Sequence, residues 1–386
     1  MRDEVLLFPE LERKTAEPRS TGVFPSQKIE ELIASEMIRA AQPIVAKQIQ
    51  PASLDLRLGP IAYRVRASFL PGKNSTVEEK IRILGMGEID LTRGAVFEKR
   101  CVYIVPLMEE WFLPEDCAGK TNPKSTTGRL DIFTRLITDY GTEFERVPPG
   151  YRGKLYAEVV PRTFSVRLQA GMSLNQVRFV RGKPITLEKD FTLNKMHEED
   201  PLAFTPDDLP ADSARLISID LAGFGPEPQG NDAIVGYKAK EHAPLVDLSL
   251  VDHYDPAEFW EPIHATPRII LNPDDFYILV SKEKVRVPPE LAAEMVAFDP
   301  SMGEFRIHYA GFFDPGFGHD LHEGRGTRAV LEVRSHEVPF VLDDGQVVAR
   351  LEYERLTETP DKIYGPKIGS SYQSQGLSLS KQFKRW

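Results

Sequence analysis

Cysteine is scarce: the 386-residue chain has two, Cys101 and Cys117, too few for a disulfide framework or a four-thiolate zinc site. Positive charge is in deficit too. Lys and Arg total 48 against 58 Asp and Glu, a net charge of -10, which makes the chain a poor candidate for coating nucleic acid or an anionic membrane, since both need a basic face. Any anionic ligand must therefore meet a local cluster of cations. No apolar run approaches the ~20 residues that span a bilayer, and the N-terminal MRDEVLLFPELERK lacks a basic region followed by an apolar stretch. The expected location is the cytoplasm.

Familiar catalytic motifs are missing as well. Gly119-Lys120-Thr121 resembles the end of a phosphate-binding loop, but Pro114 stands where the first glycine is required. There is no Gly-x-Ser-x-Gly elbow, no His-Glu-x-x-His helix and no zinc-deaminase signature. His319 and His322 sit in GHDLHEGRG, which reads as a polar hairpin tip without a third metal ligand.

Long helical patterns are also few. Ser26 to Ala41 reads as one, with Ser26 as a cap and Ile29, Leu32, Ile33 and Met37 at helical spacing. Elsewhere the 31 prolines and 27 glycines divide the chain into short alternating segments, the pattern of an all-β architecture. The acidic, proline-bearing stretch from His197 to Ala214 reads as a linker or exposed crossover. After it, earlier patterns return in the same order. Ser53-Leu54-Asp55-Leu56 is answered by Ser218-Ile219-Asp220-Leu221, Phe112-Leu113-Pro114-Glu115 by Val287-Pro288-Pro289-Glu290, and Tyr156-Ala157-Glu158-Val159 by Val330-Leu331-Glu332-Val333. Ordered matches of this kind indicate a duplication, with domains at about 1–200 and 201–386.

Three segments suggest an anion site. Lys124-Ser125-Thr126-Thr127-Gly128-Arg129 concentrates two cations and three hydroxyls, suited to phosphate oxygens. Asp314-Pro315-Gly316-Phe317 is followed by the strand-like Arg328 to Arg334, whose alternation puts Val330, Glu332 and Arg334 on one face. The tail from Tyr364, from about residue 361 onward, reads as a lid over an anion. It holds Tyr372, Gln375, Lys381, Lys384 and Arg385 among glycines and serines.

Taken together these segments resemble the deoxycytidine triphosphate deaminases, relatives of dUTPase. The resemblance rests on QPASLDLRLG, LPEDCAGKTNPKSTTGRL, GYRGKLYAEVV and LQAGMSLNQVRF in the first half. In the second it rests on YAGFFDPGFG, AVLEV and IYGPKIGSSYQSQG. It implies a tandem pair of dUTPase-like β-clip or distorted jelly-roll domains with few short helices, and hydrolysis of dCTP to dUTP and ammonia without zinc. By the same resemblance Glu332, or its counterpart Glu158, shuttles protons, and Ser125 positions the water. Lys124, Thr126 and Arg129 hold the phosphates, Asp314 contacts the sugar, and Tyr364 and Gln375 cover the nucleotide. Magnesium accompanies the triphosphate.

The halves depart from the family pattern in complementary ways. Ser301 stands where the second half needs the last arginine of a phosphate motif, and Pro148 where the first half needs its aspartate. One complete site combines Lys124 to Arg129 with Asp314 and Glu332, which favours Glu332 over Glu158. Such a composite suits a monomer or a homo-oligomer with pseudo-symmetric repeats. A dUTPase, a bifunctional enzyme forming dUMP, and a non-catalytic nucleotide-binding module are the other readings.

Overall fold

Short alternating strands cannot bury their apolar faces alone, and here they do so in two sheet-on-sheet layers, one pair in each half. A computed structural model describes residues 20–182, 191–223, 232–297, 305–308, 311–319, 325–335, 337–365 and 376–385. In the first half one sheet runs in the order Gly85–Asp90, Ile61–Val65, Val102–Phe112, Arg152–Pro161, Ile132–Thr138. The second half gives Trp260–His264, Ile234–Ala239, Tyr277–Val285, Thr327–Ser335, Phe305–His308. The opposing sheets also follow one plan. Leu54–Arg57, Ser173–Arg181, Cys117–Pro123 and Arg146–Val147 are matched by Leu216–Ser218, Val347–Arg355, Leu291–Ala297 and Phe312–Phe313. The all-β expectation is met, with helices few and short.

Each half fills its own sandwich, the first around Trp111, Leu155 and Phe179, the second around Leu279, Leu331 and Leu351. A third core belongs to both. Phe164 of the first half meets Phe259 and Trp260 of the second at ring separations of 5.8 and 5.4 Å, and Phe383 packs on Phe259 at 5.1 Å. The strand Val246–Asp247 also crosses over and pairs in parallel with Val166–Leu168 of the first half. The halves are thus joined by packing and by backbone hydrogen bonds.

Three local expectations change. The first helix is Ser26–Ala34, capped by Pro25 rather than Ser26. It stops early because Glu36 turns left-handed (φ 57°) and Ile38–Ala40 joins a sheet beside Glu109 to Trp111. A second helix, Val77–Leu84, was not anticipated; Thr76 and Glu79 form a reciprocal capping box at its start. The stretch from His197 to Ala214 is no exposed crossover. The helix Phe191–Glu199 runs into it, Ala203–Phe204 pairs with Val285 and Lys284, and Leu202, Ala203 and Ala214 are buried in the second-half core. Among the described residues no helix is long and apolar enough to cross a membrane.

Candidate active site between the two halves

The site begins with strand alternation. Along Thr327–Ser335, Ala329, Leu331 and Val333 enter the second-half core, while Glu332 and Arg334 turn toward the first half. The first half answers with the turn that ends Cys117–Pro123. Pro123 leads into the one-turn helix Ser125–Gly128, tied back by hydrogen bonds from the Thr127 and Gly128 amides to the Lys124 carbonyl. Lys124, Ser125 and Arg129 of that turn line one pocket with Asp314, Arg328, Glu332 and Tyr364 of the second half.

Glu332 is 5% exposed, and burial pushes its carboxyl up to about 8; Arg129 opposes the rise and Asp131 adds to it. Such a group holds or releases a proton near neutrality. Asp314 is also buried, and burial raises it to about 6 against the attraction of Arg178 and Lys124, with Asp55 adding to the rise. Its Oδ1 is a buried acceptor that receives no hydrogen bond among the described residues. Lys124 pairs with Asp55, from the repeated Ser-Leu-Asp-Leu motif. Arg129 donates to the Ser378 hydroxyl and carbonyl at 2.7 and 3.1 Å. The turn carrying Asp314 has Gly316 at φ 89°, where a Cβ would come within 2.9 Å of the Ile363 Cβ. Glycine lets the Tyr364 segment lie close, and the Tyr364 amide donates to the Pro315 carbonyl at 2.7 Å.

Glu158 is elsewhere. It is fully buried and Arg135 donates to its Oε1 from Nε at 3.0 Å and from Nη2 at 2.6 Å, while the Arg135 guanidinium lies 3.5 Å from the Phe144 ring centroid. The reason lies in matching insertions. In the first half, residues 66–84 fold back over this sheet face: Val77 and Ile81 of the helix pack with Tyr156, and Ser68 accepts a hydrogen bond from Arg135. In the second half the corresponding residues 240–259 reach across to the first half instead. That leaves the Glu332 face to be met by Lys124 to Arg129.

One other expected site residue and the end of the tail are placed away from the pocket or anchored beside it. Thr126 does not line the pocket; the one-turn helix directs its carbonyl to the tail, where it accepts from Ser380 at 3.1 Å. Residues 376–385 are an anchor rather than a free flap, since Ser380, Gln382 and Phe383 are buried and Lys384 donates its amide to the Tyr254 carbonyl. Gln375, Tyr372, Ser301 and His322 lie outside the described residues.

Sequence reasoning missed two arginines. Arg178, on Ser173–Arg181, is fully buried and enters the second half, donating to the Ala293 and Phe313 carbonyls at 2.9 and 2.8 Å. It lies within 3.8 Å of Asp314 and Glu354. Arg328 pairs with Asp220, the second-half counterpart of Asp55, at the pocket wall. Arg178 stands between Val177 and Phe179 of the first-half core, and nothing local marks its destination.

A deep carboxyl facing cations and hydroxyls across the junction of two all-β units is an arrangement chemically suited to an anion and to proton transfer. The comparisons name its kind. Residues 20–183 match the family model of the 2'-deoxycytidine 5'-triphosphate deaminase (DCD) N-terminal domain, and residues 189–383 that of the C-terminal domain. The chain belongs to the dCTP deaminase family of enzymes. A crystal structure of 2'-deoxycytidine 5'-triphosphate deaminase from Agrobacterium tumefaciens is 49% identical, with a TM-score of 0.81 over 89% of this chain and 100% of that one. The "dCTP deaminase, dUMP-forming" of Halobacterium salinarum is 36% identical over 42% of this chain and 86% of its own length. That of Methanobrevibacter smithii is 33% identical over 34% and 68%.

Proposed function

We propose that this chain removes the C4 amino group of dCTP by hydrolysis, giving dUTP and ammonia, in the pocket between its halves. The observation that carries the reading is Glu332: a buried carboxyl with a proton affinity near neutrality, on the pocket wall opposite the Lys124–Arg129 turn. Hydrolytic deamination needs a base for the water proton and an acid for N3 and then for the leaving amine. One carboxyl poised near the working pH can serve as both. In this reading Ser125 places the water, Lys124 and Arg129 balance the triphosphate, and the buried Asp314 Oδ1 accepts from a sugar hydroxyl. Tyr364 closes the side wall. Magnesium would arrive with the nucleotide and neutralise part of its triphosphate charge; the Lys124 and Arg129 cations and the Ser125 hydroxyl are a donor set suited to the phosphate oxygens. The halves, related by strand order, are proposed to be products of one duplication, with the active pairing built from complementary losses.

A second reading, that dUTP is carried on to dUMP and diphosphate, is favoured by the names of the Halobacterium and Methanobrevibacter relatives. Incubation with dCTP and magnesium, followed by chromatographic separation, decides between them. dUTP with equimolar ammonia supports deamination alone, dUMP the longer reaction, and unchanged dCTP overturns both.

Glu158→Gln is expected to leave turnover within about twofold, because this side chain belongs to the ion pair under Val77–Leu84 and not to the pocket. It should destabilise the fold instead by a few kcal/mol, because Arg135 loses its carboxylate partner. Steady-state rates and a denaturation midpoint check this; a large rate loss with an unchanged midpoint would move the chemistry to the first half.

A further inference from the structure

Arg334 lies on the same strand face as Glu332, two residues further along, and its side chain is 5% exposed. Its Nε donates to Asp131 Oδ2 at 3.1 Å, and its Nη2 donates to the same oxygen and to the Thr163 hydroxyl at 2.8 Å. Asp131 is fully buried and lies two residues beyond Arg129, at the exit of the one-turn helix. There its amide donates to the Gly128 carbonyl and its backbone is left-handed (φ 53°). The Thr163 hydroxyl donates to Asp131 at 2.6 Å, and Arg334 Nη1 reaches the Asp274 carbonyl. Two short segments from opposite halves therefore face each other in step: Arg129 with Glu332, and Asp131 with Arg334.

We propose that Asp131 and Arg334 are positioning residues, a buried pair that crosses between the halves and holds Glu332 at the right depth against Arg129. Neither lines the pocket. The inference rests on Glu332 being the proton shuttle. A strand residue in extended backbone places its neighbour on the same face roughly 6–7 Å away, so fixing Arg334 to Asp131 fixes the reach of Glu332. Displacement of a catalytic group by about 1 Å can cost on the order of 100-fold in rate.

The pair also bears on the charge around Glu332. From the first half that carboxyl faces Arg129, Asp131 and Lys124; from its own half the pocket wall adds Arg328 and Asp314, and His308 is its register partner on the neighbouring strand. Asp131 raises the proton affinity of Glu332, so removing its charge lowers that affinity, whereas removing the positive charge of Arg334 raises it.

The test uses Asp131→Asn, Arg334→Met and Thr163→Val in the full chain, with dCTP as substrate. Asp131→Asn and Arg334→Met are each expected to lower kcat at neutral pH by about 10- to 100-fold, with KM for dCTP within about threefold. The acid limb of kcat/KM should move to lower pH in Asp131→Asn and to higher pH in Arg334→Met, opposite shifts that loosened packing alone does not produce. Thr163→Val, which removes no charge, keeps the proposal testable if a charge variant fails to fold: it should slow kcat about fivefold, with the limb unmoved. Arg334→Lys should recover part of the rate. Folded variants with wild-type kcat and unmoved limbs, or a Thr163→Val protein with wild-type kcat, would overturn the proposal. Glu332→Gln separates the two ideas: if it stays active the shuttle reading fails, and if it is inactive while the pair variants behave as wild type, only the positioning role fails.

Discussion

Glu332→Gln is expected to bind dCTP within a few-fold of the wild-type affinity while kcat drops by about 10²- to 10⁴-fold, the contribution usual for a positioned acid-base group. Glutamine keeps the volume and polarity of the side chain but can neither take the water proton nor return it. Rapid-quench measurement of product at saturating dCTP, with a separate binding titration, tests this. Turnover within a few-fold of wild type would end the case for a carboxyl shuttle on this strand. In the unaltered protein kcat/KM should fall as pH drops through about 8, because only the ionised Glu332 can accept the proton.

The same substitution has a stability signature. The folded-state carboxyl is raised to about 8 from its ordinary 4.5 by burial, so the native state holds a proton that the unfolded chain has already released between those values. Stability therefore declines as pH rises through that window. Glu332→Gln should remove this part of the decline. Its melting temperature, equal to or below wild type near pH 4, is expected to gain on wild type toward pH 8 and above.

Arg178→Met is expected to be the most destabilising single change, by about 3–5 kcal/mol. Methionine preserves some of the packing on Phe312, over whose ring the guanidinium lies at 4.1 Å. It cannot donate to the Ala293 and Phe313 carbonyls, and it leaves the buried Asp314 and Glu354 with only the weaker attraction of Lys124 and Lys120 from the first half. Burial already raises the proton affinity of both carboxyls, and Arg178 is the main force holding it down. Their ionisation should then shift upward, and dCTP affinity should weaken as the Asp314 turn loosens. Adding Glu354→Gln to Arg178→Met should recover part of the stability, since the second substitution removes a carboxyl left without its partner. Chemical denaturation measures both. An Arg178→Met protein as stable as wild type would show that the second half holds the Asp314 turn unaided.

The strand content and the pairing of a first-half turn with a second-half strand were legible because both depend on short-range patterns. Alternation fixed which face of Arg328 to Arg334 carries Glu332, and the missing aspartate at Pro148 pointed to the other half. The helix Val77–Leu84 was also within reach, since Thr76 and Glu79 have capping-box spacing. Residues 376–385 were misjudged on composition. Ser378, Ser380 and Gln382 look like the residues of a solvated segment, yet partners distant in sequence, Arg129, Thr126 and Leu248, satisfy them in place of water. The destination of Arg178 and the Asp131–Arg334 pair were beyond a reading of local pattern, because each depends on how the halves are set against one another.

The anchoring of residues 376–385 has a consequence for the making of the protein. Arg129 is bonded to Ser378, and Phe383 plugs the aromatic core where the halves meet. A nascent chain with this stretch still inside the ribosome can close two sandwiches but not the seam that carries the pocket. Nucleotide binding should therefore switch on only once residues 376–385 have emerged to complete that seam.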